Sequence, residues 1–213
     1  MSLKGRYFVT GTDTDSGKTW VSCRLLEQAA AAGLSCYGIK PLAAGSEETP
    51  EGLRNEDALN LMAASTEKLD YELVNPVALR EAIAPHIAMQ KAGRPPLTAA
   101  RLTGYVRGAL THKADLVLVE GAGGWRVPLN ERETLAAIPR ELDLPVILVV
   151  GMKLGCISHA LLTAEAIQRD GLTLAGWIAN RMPPEMPVLE ENIAMLEKMI
   201  PAPRIEVSEP SVR

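Results

Sequence analysis

Gly11-Thr12-Asp13-Thr14-Asp15-Ser16-Gly17-Lys18-Thr19 stands directly between an apolar run, residues 6–10, and a helix-period segment, residues 18–32. A glycine-bounded stretch ending in Gly-Lys-Thr between a strand and a helix is the context of a phosphate-binding loop. Backbone N–H groups of such a loop and of the helix start turn toward phosphate oxygens. Lys18 then reaches the β- and γ-phosphates, and the Thr19 hydroxyl serves as a ligand for Mg2+. Five residues separate Gly11 from Gly17, one more than in the simplest pattern. The competing reading is a tight strand-to-helix turn with a chance Gly-Lys-Thr.

Outward from the loop, strand-like and helix-like segments alternate. The helix over 18–32 places Val21, Leu25, Ala29 and Ala32 on one face, and Gly33 ends it. A short strand follows over 35–39, and Asn55 caps a helix over 56–64. A less regular region holds Asn75-Pro76, Pro85 and Pro95-Pro96 before a helix over 98–110. Residues 115–119 read as a strand ending in Glu120-Gly121-Ala122-Gly123-Gly124. Strands over 146–150 and 172–179 enclose a helix over 155–169, and Leu189, Ile193, Leu196 and Ile200 mark a last helix. This alternation predicts one α/β domain, residues 1–213, of the P-loop NTPase type: a parallel sheet with helices on both faces. Ligands in such folds gather at the carboxyl ends of the strands. Periodicity carries no strand order.

Composition narrows the partners. The 213 residues are 47% hydrophobic and 23% charged, as in ordinary globular proteins, which excludes a disordered or fibrous chain. A net charge of −4 and few aromatic residues argue against nucleic acid and against a polybasic membrane anchor. The most apolar stretch, residues 144–152, is far shorter than a membrane helix, and the N-terminal residues lack a signal-peptide apolar region. Cys23, Cys36 and Cys156 are odd in number and show no zinc or redox spacing, so a reducing cytoplasm is expected.

Several further positions carry two readings each. Glu120 is either the acidic partner of Mg2+ or a solvated carboxylate at a strand end, and the glycines after it let backbone approach phosphate. Asp57 is either a metal ligand or an acidic residue compensating the helix dipole. Lys40 either neutralises charge on a transferring phosphoryl group or is an exposed lysine before Pro41. Asn180 either reads a purine edge, with the absence of a nearby Asp favouring ATP over GTP, or is a turn residue before Pro183-Pro184. Gly155, Cys156, Ile157 and Ser158 open a helix whose N–H groups suit a carboxylate, as every helix start does. His86, His112 and His159 have no ligand spacing.

The segments YFVTGTDT, GKT, TPEGLRN, VNP, PHI, GRP, VLVEGAGGW, LPVILVVG, KLGCI, HALLTA, GLTLAGW and MIPAP together resemble the dethiobiotin synthetases, ATP-dependent enzymes of biotin synthesis, over residues 7–203. The resemblance implies ATP as co-substrate and Mg2+ as cofactor. It implies that CO2 adds to an amine of 7,8-diaminononanoate and that ATP activates the resulting carbamate for ring closure. It makes Lys40 and Lys18 the catalytic lysines and Thr19, Asp57 and Glu120 the metal ligands. The nucleotide would meet Thr14, Asp15, Ser16, Gly17, Lys18, Thr19, Trp20, Gly121, Ala122, Gly123, Asn180 and Arg181. The substrate would meet Thr14, Lys40, Ala44 and, across a homodimer interface, Gly155, Cys156, Ile157 and Ser158.

Ala44, Asp15 and Ser158 stand where many members have Ser, Glu and Asn, and the segment after Pro203 departs from the family's Gly-Glu-Ile-Pro-like continuation. Two other readings accompany this one. A paralogue with another acceptor would keep the phosphate site. A switch ATPase of the septum-site kind would carry a lysine five positions before Lys18, where this chain has Asp13.

Overall fold

The protein is described by a computed structural model over residues 3–182 and 186–207. β1 (Gly5–Gly11) leads through the phosphate loop into α1 (Lys18–Ala31). β2 (Cys36–Ile39), β3 (Leu42–Ala44), β4 (Glu47–Thr49) and β5 (Gly52–Arg54) come next, then α2 (Glu56–Ala64) and α3 (Tyr71–Val74). β6 (Val77–Leu79), α4 (Pro85–Lys91) and α5 (Ala99–Ala109) complete the first half. The second half is β7 (Leu116–Gly124), α6 (Ala137–Leu142), β8 (Val146–Met152), α7 (Cys156–Arg169), β9 (Leu174–Arg181) and α8 (Leu189–Met199).

The main sheet has the order β2-β7-β1-β8-β9, and each neighbouring pair is parallel. Every carboxyl end therefore opens on one rim, with β1 and its loop in the middle. The side chains alternate as the pleat requires. Leu116, Leu118, Ile147 and Val149 face α1 with Val21, Leu25 and Leu26. Val117, Val119, Leu148 and Val150 face the other layer, with Leu102, Val106, Ala160 and Leu196. Both faces are covered, which is why these strands read as continuous apolar runs rather than alternating ones. Full burial of each such side chain contributes about 1.5–3 kcal/mol.

Local signals place most helix ends as expected. The Asn55 side chain accepts from the Ala58 N–H at 3.3 Å. Thr98 accepts from the Arg101 N–H at 3.2 Å, and Gly33 follows α1 with φ 75°. Two stretches hold elements that periodicity does not mark, residues 42–54 before α2 and the less regular region after it. β3 and β6 form a small parallel sheet of their own, β4 and β5 form a hairpin, and Pro85 begins α4. Strands this short, set among prolines, have no readable period. Three strands also run further than their apolar cores suggest. β7 continues through Glu120 to Gly124, β8 to Met152 and β9 through Asn180 to Arg181.

The segment after α8 lies along β9. The Trp177 N–H donates to the Pro203 carbonyl at 3.0 Å, and the Ile205 N–H donates to the Trp177 carbonyl at 2.8 Å. A Cβ at Gly176 would come within 2.6 Å of the Ile205 side chain, so Gly176 makes room for this segment. The expected turn at Pro183-Pro184 and the last residues, 208–213, fall outside the described residues.

Candidate functional site

The rim of the sheet gathers side chains far apart in sequence. From β1, the loop turns at Asp15 (φ 57°) and Gly17 (φ 81°) and feeds α1. Gly17 is forced twice: its backbone is left-handed, and a Cβ there would lie 2.0 Å from the Asn180 amide nitrogen. That amide, on β9, donates to the Ser16 carbonyl at 2.9 Å and ties the loop to the sheet. The Ser16 hydroxyl is buried and has no hydrogen-bond partner among the described residues. Lys18 is buried, and its ammonium donates to the Asp13 carbonyl at 3.1 Å. Burial, and after it the Lys40 charge, pushes the Lys18 pKa down to about 8.

Beside the loop stands an ion cluster. Lys40, at the end of β2, is 4% exposed, which removes the surface-lysine reading. Its ammonium donates to Glu120 Oε1 at 2.7 Å and to Asp57 Oδ2 at 2.9 Å. Burial alone would lower the Lys40 pKa, but the two carboxylates together outweigh it and hold the amine above its ordinary range. Burial likewise opposes charge on Asp57, and Lys40 overcomes it, so the carboxyl titrates below its usual value. Glu120 is fully buried, not a solvated strand end. Its Oε1 also accepts from the Thr19 hydroxyl at 2.7 Å, while Oε2 has no hydrogen-bond partner among the described residues.

A cleft of about 1380 Å3 opens above this cluster. Thr14, Asp15, Gly17, Lys18, Thr19, Trp20, Lys40, Ala44, Asp57, Ala122 and Gly123 all line it. Thr19, Asp57 and Glu120 offer only oxygen donors, the set a hard divalent cation takes, and the unpartnered Glu120 Oε2 has lone pairs to spare. No group of three or more His, Cys, Asp or Glu side chains converges as a metal cage among the described residues, so a cation here would complete its shell with ligand oxygens and water. The cluster thus suits a phosphorylated ligand arriving with its cation.

The chain matches the AAA domain family over residues 5–207. It is 60% identical over 204 residues to the ATP-dependent dethiobiotin synthetase BioD of Cellvibrio japonicus, covering 96% of this chain and 89% of that one. It is 54% identical over 201 residues to BioD 1 of Escherichia coli, with coverages of 94% and 88%. The chain belongs to the dethiobiotin synthetase family. Solved structures place the family's fold more widely. FtsY of Elizabethkingia anophelis superposes with a TM-score of 0.56 at 16% identity, covering 98% of this chain and 60% of that one. The septum-site-determining protein MinD of Pyrococcus horikoshii gives 0.52 at 14% identity, covering 96% and 82%. At these identities the likeness concerns the P-loop sheet alone.

Within this dethiobiotin synthetase family chain, some expected residues stand apart from the cleft. Gly155, Cys156, Ile157 and Ser158 do not line the cleft of their own chain, Cys156 is buried, and its N–H donates to the Lys153 carbonyl at 2.9 Å. Arg181 pairs with Glu190 at 2.5 Å on the surface. Gly121 serves packing, since a Cβ there would meet the Phe8 ring at 3.0 Å. Sequence reasoning passed over Val127, Pro128 and Ile83, which line the cleft from segments without a regular period. It also passed over the pair between Lys153 and Asp13 at 3.2 Å.

Proposed function

We propose that this protein is an ATP-dependent cyclo-ligase that makes dethiobiotin from 7,8-diaminononanoate and CO2. Family membership supports the reading, and the buried Lys40–Glu120 pair with the half-exposed Asp57 beside the phosphate loop is the observation that carries it. One amine of the substrate adds to CO2 and loses a proton, giving a carbamate. A carbamate oxygen attacks the γ-phosphorus of ATP, and the bond to the β-phosphate oxygen breaks to release ADP. The second amine attacks the carbonyl carbon of this mixed anhydride, the C–O bond to phosphate breaks, and the nitrogen gives up a proton to the departing phosphate as the cyclic urea closes.

Carbamate and γ-phosphate are both anionic, so the site must hold like charges together. Loop N–H groups and Lys18 receive the phosphates. Lys40 presents a charged amine where negative charge builds between the reacting groups. Thr19, Asp57 and Glu120 would hold Mg2+, which when bound supplies further positive charge at the phosphate oxygens. No enzyme nucleophile is needed; positioning and electrostatics lower the barrier. Asn180 ties the loop to the sheet beside the place where adenine would lie.

The molecule acts as a homodimer in this reading, with residues 155–158 of one subunit facing the substrate of the other. That they do not line their own chain's cleft supports it, as does Leu154, 94% exposed beside them. Among the described residues no helix is long and apolar enough to cross a membrane, and the free thiols fit the cytoplasm. Incubation with Mg-ATP, bicarbonate and 7,8-diaminononanoate tests the reading: dethiobiotin detected by mass with equal phosphate release is expected. Bound ATP with no product would instead point to the paralogue acting on another acceptor.

A further inference from the structure

Two segments that mark the sequence, TPEGLRN and VNP, place no side chain of their own in the ion cluster. Their asparagines meet behind it. The Asn55 N–H donates to the Tyr71 hydroxyl at 2.7 Å, and that hydroxyl donates to Asn75 Oδ1 at 2.9 Å. Asn75 Nδ2 then donates to the Lys40 carbonyl at 2.6 Å. The Lys40 N–H returns a bond to the Val74 carbonyl at 2.8 Å. Asn55, Tyr71 and Asn75 are 5%, 8% and 3% exposed, so these polar atoms depend on one another rather than on bulk water. The Arg54 guanidinium lies 4.1 Å over the Tyr71 ring and fixes its plane.

The two ends of this chain of bonds are the point. Asn55 caps α2 and immediately precedes the turn that carries Asp57. Lys40 is the residue whose ammonium holds Asp57 and Glu120. A phenylalanine at 71 would fill the same volume but lose the hydroxyl, which adds a backbone tie between the helix start and the end of β2 beside the Lys40–Asp57 pair.

We propose that Tyr71, Asn55 and Asn75 are positioning residues that set the separation of Lys40 and Asp57. The proposal rests on the ligase reading above. The phosphate loop takes no part in these bonds, so the network governs the ion cluster and leaves the phosphate cradle alone.

Tyr71→Phe tests this in the full-length protein, with turnover, ADP binding by calorimetry in EDTA, and the Mg2+ concentration at half-maximal ADP affinity all measured. We expect kcat to fall about tenfold with KM for ATP within about twofold, as for a small misplacement of reacting groups. Metal-free ADP binding stays at the wild-type value, and half-saturation by Mg2+ shifts upward several-fold. Unchanged kcat with unchanged Mg2+ half-saturation overturns the proposal. So does a parallel loss of metal-free ADP binding, which would make the network a support of the whole fold. Should Tyr71→Phe fail to fold, Asn75→Asp carries the same measurements, since it keeps the acceptor facing Tyr71 and removes the donor to the Lys40 carbonyl. If the wild type forms no dethiobiotin, the ligase reading fails, and the ADP and Mg2+ arms still decide the network.

Discussion

Replacing Lys40 by methionine removes the ammonium that, among the described residues, pairs with the Glu120 carboxylate, which is fully buried. Breaking a buried ion pair from one side costs about 3–5 kcal/mol, because the remaining charge is left in a poor solvent. Glu120 keeps one charge-assisted bond from Thr19 at 2.7 Å, which puts the expected cost at the lower end, about 3 kcal/mol. The bond to Asp57 adds little, since that side chain is 43% exposed. Lys40→Met with Glu120→Gln removes both charges and should return to within about 1.5 kcal/mol of the wild type. Urea unfolding at neutral pH, in EDTA and without nucleotide, measures all three proteins, and linear extrapolation compares them. Turnover should be absent in both variants. A single variant less than about 1 kcal/mol below wild type, or a double variant no more stable than the single, refutes the reasoning that the pair is bound by burial.

Gly17→Ala places a methyl 2.0 Å from the Asn180 amide in left-handed backbone, so ADP affinity should drop more than about tenfold while the fold survives; calorimetry giving wild-type affinity contradicts this. Asp170 accepts from Trp125 Nε1 at 2.9 Å and from Arg126, and these bonds outweigh the opposing effect of burial and hold its carboxyl below the usual range. Its folded pKa is depressed, so its stabilising effect is full above the unfolded value of about 3.9 and fades as pH falls through the folded one. The melting temperature of wild type should therefore fall more steeply than that of Asp170→Asn below about pH 4, and parallel curves would count against it. Leu154→Glu should convert the proposed dimer to monomer in sedimentation and reduce turnover, and a variant that still sediments with the wild type argues for another interface.

The loop, α1 and the acidic strand end were legible because their chemistry is local: Gly17-Lys18-Thr19 follows an apolar run, and Glu120 ends another. Asn55 as a cap was equally plain. Lys40 was visible as a lysine at a strand end, but its burial depends on β2 pairing with β7, and strand order leaves no trace in periodicity. The Tyr71 network was invisible for a related reason. Its partners come from a hairpin end, a four-residue helix and a strand edge, none long enough to show a repeat. Asn180 was noticed for its amide, yet its bond to Ser16 spans 164 positions and could not be foreseen. Residues 155–158 illustrate the opposite case, where a helix start reads the same whether or not anything binds it.

That span of 164 positions also bears on how the protein comes into being. The anchor for the phosphate loop is on β9, the last strand of the sheet to leave the ribosome. A nascent chain that has emerged only through β8 already holds Lys18, Lys40, Asp57 and Glu120 but lacks the hydrogen bond that steadies the loop. Long-range closures of this kind form late and slowly. The ability to grip a nucleotide should therefore appear only once β9 has emerged, after the charged residues that use it are already in place.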